Sequence, residues 1–240
     1  MNLSLHLPID FGLPHALAII WLFGCWFSYS QLLSTFGRGS LNAQLAVVRR
    51  YWMSATTRRI SKPFDAVLLS NMMNSIAFFG SATLIVLAGV LSIFTNVKVI
   101  HETISDLEFM GAKSLELFAL EIGLLAFVLS LCFLSYTYAL RKLIYTTALI
   151  GALPDISENC PTHDAMVNAT TTVLSEAIRT LNFGIRGYYY TIATLCIFIS
   201  PYASMFATAV ATIVLFYRQL MTPTARAIQD YVDAAQSLKR

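Results

Sequence analysis

Long apolar runs alternate with short polar segments along the chain, and the lengths of those runs set the first expectations. A helix rising 1.5 Å per residue needs about 20 apolar residues to cross the hydrocarbon core. The pattern predicts four spans, over about residues 15–36, 66–95, 115–140 and 187–217. Pro14 opens the first and Gly37 closes it, and Asp65 after Pro63 reads as the start of the second. The third stays helical from Ser114 through about Ile150, so its end from Arg141 onward is expected to project into water. The fourth has no charged side chain between Arg186 and Arg218. A break at Asn182–Phe183–Gly184 should precede it, and Pro201 should kink it near its middle by removing a backbone donor.

Within that last run Ser200, Ser204, Thr208 and Thr212 recur every four residues, beside a second ladder of Ala203, Ala207 and Ala211. Such spacing keeps small groups on one side, where another helix can approach closely. Ile197 and Leu215 lie off these ladders and are expected to face lipid. Two segments are amphipathic rather than apolar. Over 41–60, Leu41, Leu45, Val48, Trp52 and Ala55 form a stripe flanked by arginines, the pattern of a helix lying in the head-group layer. Over 223–239, Ile228, Tyr231, Val232, Ala235 and Leu238 form a second stripe, expected to lie on the membrane or on a partner. The expected fold is therefore an all-α integral membrane protein, one membrane domain over 1–240. It has four transmembrane helices, an interfacial amphipathic helix and an amphipathic C-terminal tail helix. The connectors are the polar stretch from Lys98 to Lys113, read as a solvated loop, and 151–167, where Pro154, Asp155, Pro161 and Asp164 act as breakers.

Composition agrees. The chain is 57% hydrophobic and 12% charged, about half the charge of an ordinary soluble domain. The first run lacks the basic n-region and small-residue site of a cleavable signal, so it counts as a span. The four cysteines, Cys25, Cys132, Cys160 and Cys196, are scattered and read as core residues rather than ligands. Charge placement is more informative. Arg38, Arg49, Arg50, Arg58, Arg59 and Lys62 crowd one segment, and no acid occurs between Asp10 and Asp65. Arg49, Arg50, Arg58 and Arg59, with Trp52 at the boundary, are candidate contacts for anionic lipid head groups. Nucleic acid is not an expected partner of so short and tethered a segment. The partners expected are the bilayer, anionic lipid, and either further copies of the chain or other membrane subunits. With four spans and the amino terminus outside, ten cations fall on the cytoplasmic side, against six for the opposite orientation. The amino terminus and the tail are thus expected outside, in a multi-pass protein of the bacterial inner membrane.

Little chemistry is legible. No phosphate-binding loop, nucleotide glycine pattern, nucleophile elbow or zinc spacing occurs, so no catalytic residue, metal or cofactor is assigned. Glu121 lies nearly two turns inside the third span. An acid at that depth is either a functional group or a hydrogen-bonded carboxyl near the interface. A polar cluster is expected at the cytoplasmic boundary. Asp65, Asn71, Asn74 and Ser75 start the second span, Arg141 and Tyr145 end the third, and Asn182, Arg186 and Tyr188 start the fourth. Asp65 should pair with Arg186, or failing that with Arg141, because an unpaired buried charge costs several kcal/mol.

The chain resembles the domain-of-unknown-function family five-nine-nine of bacterial and plant membrane proteins. The residues that carry the resemblance are Arg49-Arg50-Tyr51-Trp52, Asn74-Ser75-Ile76, Arg141, Ile150-Gly151 and Pro154, and then Gly184-Ile185-Arg186-Gly187-Tyr188-Tyr189-Tyr190 and Pro201. The resemblance implies a multi-span architecture and brings no catalytic residue. The function expected is that of a non-enzymatic membrane protein acting through helix–helix association, as an oligomer or an accessory subunit. The alternative is a small-solute or proton transporter with Glu121 and the cytoplasmic arginines on its path.

Overall fold

Apolar runs with no alternating strand pattern give helices throughout the described residues. The computed structural model describes residues 8–36, 40–59, 63–105, 113–154 and 161–237. In chain order the helices are α1 (Leu13–Phe36), α2 (Leu41–Thr56), α3 (Pro63–Ile93), α4 (Val97–Ser105), α5 (Leu115–Gly151), α6 (Pro161–Leu195), α7 (Pro201–Leu220) and α8 (Pro223–Ser237). Among the described residues four stretches are long and apolar enough to cross a membrane: Leu13–Thr35, Pro63–Thr103, Leu115–Gly151 and Pro201–Ser237. Helix starts follow local chemistry. Pro63 and Pro223 occupy first positions, where a missing N–H costs nothing, and Asp65 sits in the first turn of α3 against the helix dipole.

The last third of the chain departs from the expectation. Asn182–Gly184 is no break, since α6 runs through it, and the stretch 187–217 is two helices rather than one kinked span. α6 ends at Leu195, a 3-10 turn covers Cys196–Phe198, and α7 begins at Pro201. A proline inside a helix costs about 3 kcal/mol, whereas at the first position it is tolerated, so the chain places its turn just before Pro201. The two arms run antiparallel, and the Tyr190 hydroxyl meets Thr212 Oγ1 at 3.1 Å. Two shorter differences accompany this. The stretch expected as a solvated loop contains α4, and α6 begins at Pro161, inside the connector expected over 151–167.

The chain divides into two compact units. The first comprises Met1–Tyr29, Ala82–Cys132 and Ile185–Val214. There Leu87 and Val90 of α3 pack with Phe118, Ile122, Leu125, Ala126 and Leu129 of α5, and Phe198 of the 3-10 turn closes the cluster. Trp26 of α1 and Tyr190 of α6 are both fully buried and stack at 5.9 Å. Gly187 permits this crossing, because a Cβ there would overlap both Cys132 Sγ and the Trp26 ring. On α7, Ser204 and Thr208 are buried, and the Ala203, Ala207 and Ala211 ladder is half-buried. Ile197 and Leu215, expected to face lipid, are buried against the chain instead, at 1% and 7% exposure.

The second unit comprises Ser30–Ser81, Phe133–Gly184 and Leu215–Arg240. Its α2 packs on α8. Asn42 fixes this end of α2, with its N–H donating to Gln219 Oε1 at 3.3 Å and its Oδ1 accepting from Asn182 Nδ2 at 3.4 Å. Gly184 lies against Ser135 and the Tyr136 ring, at a distance that a methyl group would reduce to 2.9 Å. Because α8 packs on α2, the tail lies with the arginine-rich segment and not across the membrane from it.

Candidate functional site

Among the described acids of the first unit Glu121 is the most deeply placed, with no exposure to solvent. Its partner is Lys113, just before α5, whose ammonium donates to both carboxylate oxygens at 2.6 and 2.9 Å. The same ammonium donates to the Ile197 carbonyl at 3.1 Å. That carbonyl would ordinarily accept from the residue four places on, which is Pro201 and has no N–H. An ammonium has three donors, and here all three are engaged. Lys113 thus neutralises a buried carboxylate and satisfies the carbonyl that the proline leaves open. The approach to it is also fixed. His101 Nε2 donates to the Lys113 carbonyl at 2.8 Å, and Asp10 Oδ2 accepts from the Ser114 N–H at 2.8 Å. Ser114 Oγ accepts from the Leu117 N–H at 3.2 Å and caps α5.

The residues expected to form one boundary cluster have other partners. Asp65, 1% exposed, accepts on Oδ1 from Arg59 Nη1 and from Trp52 Nε1, each at 2.7 Å. Neither Arg186 nor Arg141 is that partner. Arg59 stands only six residues from Asp65 and its guanidinium lies over the Phe64 ring, so the pair forms where α2 gives way to α3. Arg141 donates to Tyr145 within α5 at 2.6 Å. Arg186 lies over the Tyr29 ring at 4.9 Å, and Tyr188 shares a hydrogen bond with Thr83. Asn182 meets Asn42, and Ser75 returns its proton to the Asn71 carbonyl at 2.9 Å, while Asn74 is exposed. These nine residues are thus parcelled into separate contacts.

The basic stripe of α2 divides the same way. Arg49 is half-buried and donates to Ser175 at 3.1 Å, and burial lowers its pKa. Trp52, expected at the lipid boundary, has its indole N–H on Asp65. Arg50 and Arg58 are exposed. Arg50 opens onto a cavity of about 870 Å³ in the second unit. Its polar lining includes Arg50 and Ser54 of α2, Asp164, Asn168 and Thr172 of α6, and Gln236 of α8. The sequence signal for this surface was the helical recurrence of polar residues at 164, 168, 171, 172 and 175, hidden when Asp164 is read as a connector residue. Lys113 was hidden likewise by its place in a loop. Among the described residues, no group of three His, Cys, Asp or Glu side chains is arranged to hold a metal.

The family described as "Protein of unknown function, DUF599" matches residues 17–224, and the chain belongs to that family. No curated protein and no solved structure gives a significant match.

Proposed function

We propose that this DUF599 member is a non-enzymatic, multi-pass protein of the bacterial inner membrane that acts by helix–helix association. The partner we assign is a second copy of the chain. The observation that carries this reading is α7. The span that includes it is apolar enough to cross a membrane, yet only 11% of its most apolar window is buried against the chain, compared with 17%, 28% and 50% for the spans of α3, α1 and α5. Ser204 and Thr208 are used inside, and the Ala203, Ala207 and Ala211 ladder remains at the rim, half-buried. An alanine ladder is self-complementary, so two copies can pack through it with close backbone approach. The large side chains Tyr202, Phe206 and Ile213 flank it, each more than two-thirds exposed. Mass measurement of the protein in lipid nanodiscs tests the reading. A defined multimer, reduced to monomer by Ala207→Leu, is the expected result. A monomer at every protein-to-lipid ratio would contradict it.

Transport past Glu121 is the second reading, and the full burial of that acid is the observation in its favour. It requires Lys113 to leave the carboxylate during each cycle. Glu121→Gln should then abolish solute or proton flux in proteoliposomes. Flux that survives the substitution, or no flux in the native protein, excludes this reading.

A further inference from the structure

We propose that the cavity between α2, α6 and α8 in the second unit binds a zwitterion bearing a phosphate group and a primary ammonium, the chemistry of phosphoethanolamine. This is independent of the association reading. At about 870 Å³ the cavity has the size of a small-molecule site. Two opposite charges line it, Arg50 on α2 and Asp164 on α6, and neither has an ion-pair or hydrogen-bond partner among the described residues. The other acid of the lining, Glu176, is already compensated, 3.8 Å from Lys142 and 3.5 Å from Arg179. Arg50 and Asp164 are both exposed and so open to a ligand, and together they suit one anionic and one cationic group on the same molecule. A guanidinium fork matches phosphate oxygens in geometry. A carboxylate accepts from the three N–H donors of a primary ammonium, which a quaternary amine cannot supply.

Asn168 and Gln236 each offer an amide with donor and acceptor, suited to the ester oxygens and the amine edge. Thr172 gives its proton to the Asn168 carbonyl at 2.9 Å, which leaves its oxygen as an acceptor. Asp164 also lies in the first turn of α6, where an acid stabilises the helix dipole. That role explains Asp164 alone. It does not account for Arg50, an exposed arginine that lines the same cavity. A purely anionic ligand would meet Asp164 unfavourably, and a cation alone would meet Arg50.

The phosphoethanolamine group can come from a lipid head group or from free solute, and the experiment separates the two. Native mass spectrometry of the purified protein with phosphatidylethanolamine, phosphatidylcholine and phosphatidylglycerol measures lipid retention, and calorimetry with soluble phosphoethanolamine measures the free solute. We expect phosphatidylethanolamine to be retained at least tenfold more than either other lipid if the source is lipid, or soluble phosphoethanolamine to bind if it is free. Arg50→Gln and Asp164→Asn should each reduce the signal at least fivefold. Arg141→Gln, an exposed arginine outside the lining, should leave it unchanged. Equal retention of ethanolamine and choline lipids with no binding of the soluble compound overturns the proposal, and this comparison needs no variant to fold. Binding unaffected by both Arg50→Gln and Asp164→Asn overturns it as well.

Discussion

Lys113 joins two groups that would each be costly alone, a carboxylate inside the protein and a carbonyl that a proline deprives of its donor. Removing one partner of a buried ion pair typically costs about 3–5 kcal/mol, because the other charge remains desolvated. Lys113→Met should therefore lower stability in detergent by about that amount, measured by thermal or denaturant unfolding. Adding Glu121→Leu should recover much of the loss, since a buried pair can be replaced by apolar groups at little net cost. A Lys113→Met protein as stable as the parent would show that the ammonium does not serve this carboxylate. Asp65 offers a second case. Asp65→Leu should strand Arg59 and the Trp52 indole, and should also blue-shift tryptophan emission as the polar neighbour is lost. The depth of Glu121 was legible from its place in the third apolar run. Its partner was not, because a loop lysine eight residues before it carries no periodic signal. For Asp65 the sequence reading looked to Arg186 and Arg141 on distant helix ends, and the partner is instead Arg59, only six residues away along the chain.

Among the elements, α1, α3 and α5 lie where hydrophobic periodicity puts them, and so do the amphipathic helices α2 and α8. The α6–α7 hairpin was not legible. A proline that kinks a helix and a proline that begins one share the same local sequence. Only contacts distant in the chain, such as Tyr190 with Thr212, separate them. The glycines of the Gly184–Gly187 stretch make sense once α6 is continuous. Each lies where α6 passes close to another helix, Gly184 against Tyr136 and Gly187 against Cys132 and Trp26. Helix interiors disfavour glycine by about 1 kcal/mol, so Gly→Ala at an open position should stabilise. At Gly187 the sign should reverse, with a loss of about 1–3 kcal/mol from overpacking. Gly151, with nothing within 4 Å of an added Cβ, is the control and should not lose stability on the same change. Equal effects at Gly151 and Gly187 would mean that the close crossing does not exist.

For the molecule as a whole, the hairpin changes the topology that charge alone suggested. Nine of the twelve described cations belong to the second unit, which also holds α8. By the positive-inside rule we propose that the tail lies in the cytoplasm together with α2. A reporter active only in the cytoplasm should thus report after Arg59 and also after Arg240. Silence at Arg240 would restore a single span over 187–217. The proposed orientation would place the alanine rim of α7 inside the bilayer, within reach of a second copy. The most direct measurement is disulfide cross-linking in native membranes, with the four cysteines replaced by serine and one new cysteine on each variant. Ala207→Cys should give a product of twice the chain mass, and Phe127→Cys, an exposed position on α5, should not. No dimer-sized product from Ala207→Cys, or the same yield from both positions, would contradict association through α7.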